Sequence, residues 1–260
     1  MGRKQDVIIE IFKICKLKSN FVFDNGLVKQ VCKKYGFGNP FDVTKLDDTS
    51  KFPRILLDED YFILHLGKGR HKFIKGIKNG FHLFEAISKD NIFDWKYRKS
   101  LLNEFDKSES NILSVASNQR IIHDFLYEDI VANPKVYNAR RTKIGLSYCV
   151  GNEEIMAQSL QMEIDLTMEL GGVITIFEGK NGFPDNFAVY QLFHPFKYYS
   201  ILKKEKKLDI KQITCCYVLR KKEKGSSIFR LYNYSFADEN NIGSIKFLRN
   251  AQYNLIKRYL

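Results

Sequence analysis

Residues 173–180, Val-Ile-Thr-Ile-Phe-Glu-Gly-Lys, constrain the fold of this chain more than any other stretch. A run rich in β-branched and aromatic residues is the composition of a strand covered on both faces, and such a strand needs neighbours in a sheet. Yet the run ends in Glu178 and Lys180, charges that a buried strand excludes unless they are paired. Side chains alternate along a strand, so these two share a face, about 7 Å apart at a rise of about 3.3 Å per residue. Gly179 between them leaves the backbone open to close approach by a ligand. The preceding residues 161–170 read as a second strand, joined to the first through Gly171-Gly172, which brings Asp165 alongside Glu178 near the strand ends. Two carboxylates meeting there form an oxygen-donor site suited to Mg²⁺, a hard ion that keeps several waters. An adjacent ammonium can orient an attacking water and offset charge on a pentavalent phosphate.

The tripeptide alone carries little information. Acid-x-Lys recurs at Asp94-Trp95-Lys96, Glu205-Lys206-Lys207 and Asp209-Ile210-Lys211. Context separates Glu178-Gly179-Lys180: it closes an apolar strand, and a second carboxylate stands on the strand before it. Glu163 shares the face of Asp165 and reads equally as a further ligand or as a solvated strand carboxylate.

Around this cluster the patterning predicts an alternation of helices and strands. Residues 118–129 place Ile121, Ile122, Phe125 and Leu126 on one helical face. Residues 142–150 read as a strand, 185–202 as a helix that Pro195 should kink or shorten, and 213–219 and 228–236 as two further strands. A final amphipathic helix is expected from Ser244 to the end. In the first half, residues 6–17 and 25–35 read as helices, capped by Asp6 and by Asp24 or Asn25. Gly36 breaks the second. Residues 61–66 and 71–74 flank Gly67-Lys68-Gly69-Arg70 as a hairpin with a basic tip, and two helices before a hairpin is a winged-helix-like order. Residues 88–117 give no clear pattern.

Charge indicates the kind of partner. The 42 Lys plus Arg outnumber 30 Asp plus Glu for a net +12, an excess that favours polyanions. Tyr137-Asn138-Ala139-Arg140-Arg141-Thr142-Lys143 concentrates cations with an asparagine just before the core strands. Arginine contacts guanine edges and phosphates and asparagine can read adenine, so Asn138, Arg140, Arg141 and Lys143 are candidate DNA contacts. Asn181, beside Gly182, is a candidate turn facing phosphate. The lysines of 203–207 and Lys221, Lys222 and Lys224 read as solvated faces or phosphate contacts. Gln191 is placed to support the site.

Other classes find no support. No apolar run approaches the ~18 residues of a membrane span, residues 1–6 lack a signal-peptide pattern, and Asp6 does not fit a myristoylation motif. The five cysteines, without CxxC spacing, are expected as reduced, mostly buried thiols of an intracellular protein. The five histidines show no paired metal spacing, and no nucleotide-binding fingerprint is present.

Asp165 followed by Glu178-x-Lys180, on the second and third strands of an αβββαβ order, resembles the PD-(D/E)XK nuclease superfamily. Size, basicity and a separate N-terminal segment most resemble a type II restriction endonuclease. The resemblance covers residues 111–260 as a catalytic domain with a mixed central sheet, an α/β (α+β) class, with residues 1–110 as a mostly helical DNA-recognition region. It implies that Asp165 and Glu178 ligate Mg²⁺ and that Lys180 serves the hydrolytic water. It further implies sequence-specific cleavage of double-stranded DNA to 5′-phosphate ends, a homodimer on a palindromic site, a cognate DNA methyltransferase as genetic partner, and a cytoplasmic, bacterial setting. Ile164 stands where the motif has its proline. Many such nucleases carry a further acidic residue on the first core helix, for which Glu128 is the candidate, with Glu154 an alternative outside it. Two other readings stay open: a repair or structure-specific nuclease of the same fold, and a non-catalytic DNA-binding protein in which Glu178 and Lys180 form only a salt bridge.

Overall fold

A computed structural model describes residues 2–100, 109–138, 140–223 and 225–256. Helix α1 (Arg3–Leu17) buries Val7, Ile8, Ile11, Phe12 and Cys15, the spacing of one helical face. It begins at Gly2, so Asp6 lies within the first turn and does not cap it. Strand β1 (Val22–Asp24) ends on Asp24, whose carboxylate accepts the Leu27 N–H at 2.9 Å and caps α2 (Asn25–Tyr35). Gly36, at φ 63°, closes α2 in the left-handed conformation. A short α3 (Arg54–Asp58) precedes the antiparallel hairpin of β2 (Tyr61–Gly67) and β3 (Arg70–Lys75). Strand β1 pairs with β3, giving the order β1-β3-β2, and Phe12 and Phe23 pack on Phe73 with ring centroids 5.0 and 4.9 Å apart.

The rest of the chain is built on a mixed sheet. Its elements are β4 (Phe81–Leu83), β5 (Ile92–Lys96), α4 (Glu109–Asn118), α5 (Ile121–Tyr127), β6 (Lys135–Tyr137), β7 (Arg140–Val150) and β8 (Glu153–Ile164). There follow β9 (Leu166–Leu170), β10 (Val173–Asn181), β11 (Asn186–Ala188), α6 (Tyr190–Glu205), β12 (Gln212–Glu223), β13 (Ser226–Phe236) and β14 (Ile245–Ile256). Seven strands run in the order β5-β14-β13-β12-β10-β9-β6, parallel at β10–β12 and β14–β5 and antiparallel elsewhere. The fold is mixed α/β with a mixed central sheet. Among the described residues no helix is long and apolar enough to cross a membrane.

Period-two alternation distributes this sheet between two cores. Ile176, Cys215, Tyr217, Leu219 and Tyr232 face the layer that holds α6 and the N-terminal unit. Phe177, Cys216, Val218, Leu231 and Tyr253 face α4 and α5. Neighbouring Cys215 and Cys216 therefore point to opposite sides, and all five cysteines are unpaired thiols. The same parity turns Glu178 and Lys180, two and four residues beyond Ile176, toward α6 and the N-terminal unit. Strands β7 and β8 form a separate two-stranded arm, whose inward residues Leu146, Tyr148, Ile155 and Met162 join that layer.

Several expectations need correction. The segment from Ser244 is strand β14, paired along β13, and residues 257–260 of the expected helix lie outside the described residues. Its apolar residues fit a helix, but the burial of Ala251, Tyr253 and Leu255 shows that period two prevails in the sheet. Residues 161–170 are not one strand: β8 ends at Ile164 in the arm, and the chain bends at Asp165 into β9 of the central sheet. The loop expected over 137–143 is mostly the start of β7, with Ala139 outside the described residues, as is Lys224. Helix α6 continues through Pro195 to Glu205. Residues 88–117 contain β5 and α4. The division expected at 110/111 is crossed by β4 and β5, which pair with β11 and β14.

The hairpin tip docks on the arm. A Cβ at Gly67 (φ 78°) would fall inside contact distance of the Gln158 carbonyl oxygen and 2.9 Å from the Leu160 nitrogen. Lys68 Nζ donates to Gln158 Oε1 at 3.2 Å. Gly67→Ala therefore combines a left-handed backbone with a clash against main chain, and it should cost roughly 2–4 kcal/mol, read as a lowered urea midpoint. An unchanged midpoint would show that the tip is free to move away from the arm.

Candidate active site

Strand pairing brings the predicted carboxylates together. Leu166 of β9 is opposite Phe177 of β10, so Asp165 at the bend stands next to Glu178 and Gly179. Asp165 Oδ2 accepts the Gly179 N–H at 3.1 Å, which fixes that carboxylate against the end of β10. Lys180 Nζ lies 3.2 Å from Glu178 Oε1. The same oxygen accepts from Gln191 Nε2 at 2.9 Å, and Gln191 Oε1 accepts from the Tyr217 hydroxyl at 3.1 Å. Gln191 is in the first turn of α6 and Tyr217 is the β12 partner of Glu178 in register. Helix, parallel strand pair and bend thus converge on one carboxylate. Its position, toward the carboxyl end of a parallel strand, is where open α/β sheets present their ligand sites.

Glu178 is held largely out of water: only 12% of its side chain is exposed, and 21% of that of Lys180. Burial, and after it the charge of Asp165, push the Glu178 carboxyl up to about 8, against the opposing pull of Lys180. The residues fit a hard divalent cation. The donors are carboxylate oxygens, and a cation between them would relieve the repulsion that raises Glu178. Among the described residues no group of three or more His, Cys, Asp or Glu is arranged to hold a metal, so Asp165 and Glu178 would leave most of the coordination shell to water.

The site is at the floor of a cleft of about 1030 Å³ between the N-terminal unit and the sheet. Asp47, Lys45, His65, Lys68, Arg70 and His71 line it from the first side, and Lys143, Gln161, Tyr190 and His194 from the second. Asp47 is the functional candidate that sequence reasoning missed. The charge of Asp47 acts on the Tyr190 hydroxyl and adds to the upward push on Glu178. The Asp47 carbonyl accepts the Ala188 N–H at 2.9 Å, which ties this loop to the chain entering α6. No motif marks Asp47; only tertiary packing brings it within reach of a residue 131 positions later (178 − 47).

The cleft histidines are neutral. Burial lowers His65 to about 4 and both His71 and His194 to about 3. His71 Nε2 donates to Asn25 Oδ1 at 2.9 Å, so in the neutral ring its Nδ1 accepts from His65 Nδ1, also at 2.9 Å. His194 Nε2 pairs with the Tyr148 hydroxyl at 2.8 Å.

Other predicted residues disperse. Glu163 lines the cleft but is exposed, 3.2 Å from Arg141 Nε. Glu128 is 80% exposed and paired with Arg249 at 2.8 Å, and Glu154 bonds Ser147 across the arm. Neither reaches the cleft. Of the basic cluster only Lys143 lines it, while Arg140 lies over the Tyr198 ring at 5.2 Å and Asn138 is exposed in the connection before β7. Asn181 is exposed at the end of β10.

A family model described as Domain of unknown function (DUF6997) matches residues 76–254, and a second, Domain of unknown function (DUF6996), matches residues 6–73. The two meet at the end of β3, with only Ile74 and Lys75 between them. No curated protein and no solved structure matches the chain.

The shifted groups set opposite pH dependences in metal-free protein. Glu178 has a folded pKa above its ordinary 4.5, so its contribution to stability is full below 4.5 and lost as pH rises through about 8. The three histidines lie below their ordinary 6.5, so their contribution is full above 6.5 and lost as pH falls toward 4 and 3. Between about pH 7 and 5 the histidines outnumber the carboxyl. In EDTA the Tm should fall over that window, more steeply in Glu178→Gln and less steeply in His194→Gln. Thermal denaturation of the three proteins checks this, and identical slopes would refute the assignment.

Proposed function

The chain belongs to the family described as Domain of unknown function (DUF6997), a description that names no activity, and from its own residues we propose a Mg²⁺-dependent deoxyribonuclease of restriction type. The observation that carries the reading is the convergence of Asp165, Glu178 and Lys180 at the ends of neighbouring strands, with Lys180 Nζ 3.2 Å from Glu178 Oε1. The order of elements adds support. Helices α4 and α5, strands β6, β9 and β10, helix α6 and strand β12 come in the order α-βββ-α-β, with the β7–β8 arm inserted after the first strand and the short β11 before α6. This order supports a PD-(D/E)XK-like core with β6 in place of the strand expected at 142–150, which is β7 of the arm. The helix-strand-helix-helix-hairpin order of residues 3–75 supports a winged-helix-like recognition unit.

In this reading Asp165 and Glu178 would hold Mg²⁺, which would supply Lewis-acid polarisation of the scissile phosphate and of the attacking water. Lys180 orients that water and offsets charge on the pentavalent phosphorus. Gln191 donates to Glu178 Oε1 and so holds that carboxylate in place at the cleft. Water oxygen bonds to phosphorus, the bond to the 3′ oxygen breaks, and that oxygen leaves as a hydroxyl after taking up a proton. The products carry 5′-phosphate ends. Cleavage of both strands at one specific duplex site calls for two copies of the chain, hence a homodimer, and a cognate DNA methyltransferase would protect the host.

The test is digestion of unmethylated phage DNA with Mg²⁺, with EDTA, and with Lys180→Ala and Asp165→Asn proteins whose melting curves match the parent. Discrete fragments are expected with Mg²⁺ alone, and each substitution should slow cleavage by about 10²–10³-fold. A smear would retain hydrolysis but refute site specificity. Intact DNA across several unmodified substrates would overturn the nuclease reading and leave a DNA-binding protein.

A further inference from the structure

The walls around the carboxylates bear on the form of DNA that can reach them. Glu178 and Lys180 lie at the floor of the cleft with 12% and 21% of their side chains exposed. One wall is the hairpin tip, held by the Asn25 N–H donating to the Gly69 carbonyl at 2.8 Å and by the Gly67 contact with Gln158 of the arm. In a stacked duplex a phosphodiester is flanked by paired neighbours, and it cannot descend between fixed walls unless they come with it. A space of about 1030 Å³ is on the scale of a ligand pocket, not of a duplex-binding surface.

The lining suits an unpaired strand. Lys45, Lys68, Arg70 and Lys143 bring cations to the cleft for flanking phosphates. Phe41 lines the cleft with 62% of its surface exposed and lies outside the apolar core, with the Lys29 ammonium over its ring at 5.7 Å from the centroid. Deeper in, the rings of His65, Tyr190 and His194 are taken up by one another, His65 edge-on to Tyr190, with centroids 6.0 and 5.6 Å apart and His194 buried, which leaves Phe41 as the ring at the mouth. A basic groove interleaved with aromatic rings is how proteins hold single strands, because every base has a face to stack and phosphates alternate with bases. We propose that the strand to be cut enters this cleft unpaired, as a short single-stranded stretch of DNA that stacks a base on Phe41 at the mouth. This deepens the nuclease reading and rests on it for the word "cut"; the binding it describes does not require hydrolysis.

Binding in EDTA at fixed salt tests the proposal without chemistry. A labelled single strand and a blunt duplex of the same sequence are titrated with the full-length protein by fluorescence anisotropy. The single strand should bind at least about tenfold more tightly, and Phe41→Ala, at an exposed position, should weaken it about tenfold with an unchanged Tm. A duplex bound as tightly as the single strand, with Phe41→Ala indistinguishable from the parent, would overturn the proposal. A second arm uses Mg²⁺ and a duplex that the protein cuts, with and without mismatched pairs at the cut, and mismatches should accelerate cleavage severalfold. Preferential strand binding without any Mg²⁺-dependent cleavage would refute hydrolysis and leave the binding mode standing. Cleavage of fully paired duplex as fast as mismatched, with duplex binding as tight as strand binding, would do the reverse.

Discussion

Two carboxylates, Asp165 and Glu178, stand close enough to repel one another in a space that excludes most water, and much of the structure around them holds that arrangement in place. The Gly179 N–H fixes the first, and Gln191 and Lys180 fix the second. Gln191 is itself oriented by Tyr217 on the neighbouring parallel strand. Each of these groups comes from a different element. The position of Glu178 therefore depends on the register of β10 with β12 and on where α6 begins. A one-residue slip of β10 would turn Glu178 and Lys180 into the apolar layer under α4 and α5. The register that buries Ile176 and Phe177 on their correct sides is the register that assembles the site.

The N-terminal unit is part of this arrangement. Its apolar residues join those of α6 and the arm in one continuous core, from Val7 and Phe12 through Phe62 to Tyr148 and Leu192. Its loop carries Asp47 to Tyr190, and its hairpin supplies a wall of the cleft. The boundary between the two family models, at the end of β3, divides the sequence where that core does not divide.

What could be read from the sequence follows the range of the interactions involved. The Asp24 cap, the Gly36 stop and the basic hairpin were legible because each is set by residues within a few positions of one another. The Glu178–Lys180 pair was legible because charges at the end of an apolar strand demand a reason. Strand β14 was not: its apolar residues suit a helix, and only long antiparallel pairing with β13 makes it a strand. Nor was β5, a parallel edge strand whose partner lies 160 positions later (252 − 92). Asp47 and the cleft histidines carry no local signature, since their role arises from neighbours distant in sequence. Glu128 and Glu154 were candidates only by placement along the chain, and the structure pairs them with other partners.

The bend at Asp165 joins two bodies with different tasks. The chain leaves the arm at Ile164 and enters the central sheet at Leu166, with Asp165 the single residue between. The arm carries Lys143, Gln161 and Glu163 toward the cleft, so it is the part of the scaffold that a bound polyanion would push or pull. Glu178 sits in the sheet and would not follow such a movement. Asp165, held by the Gly179 N–H, stays with it, so a shift of the arm would reshape the mouth of the cleft while the spacing of the two carboxylates at its floor is kept by β10.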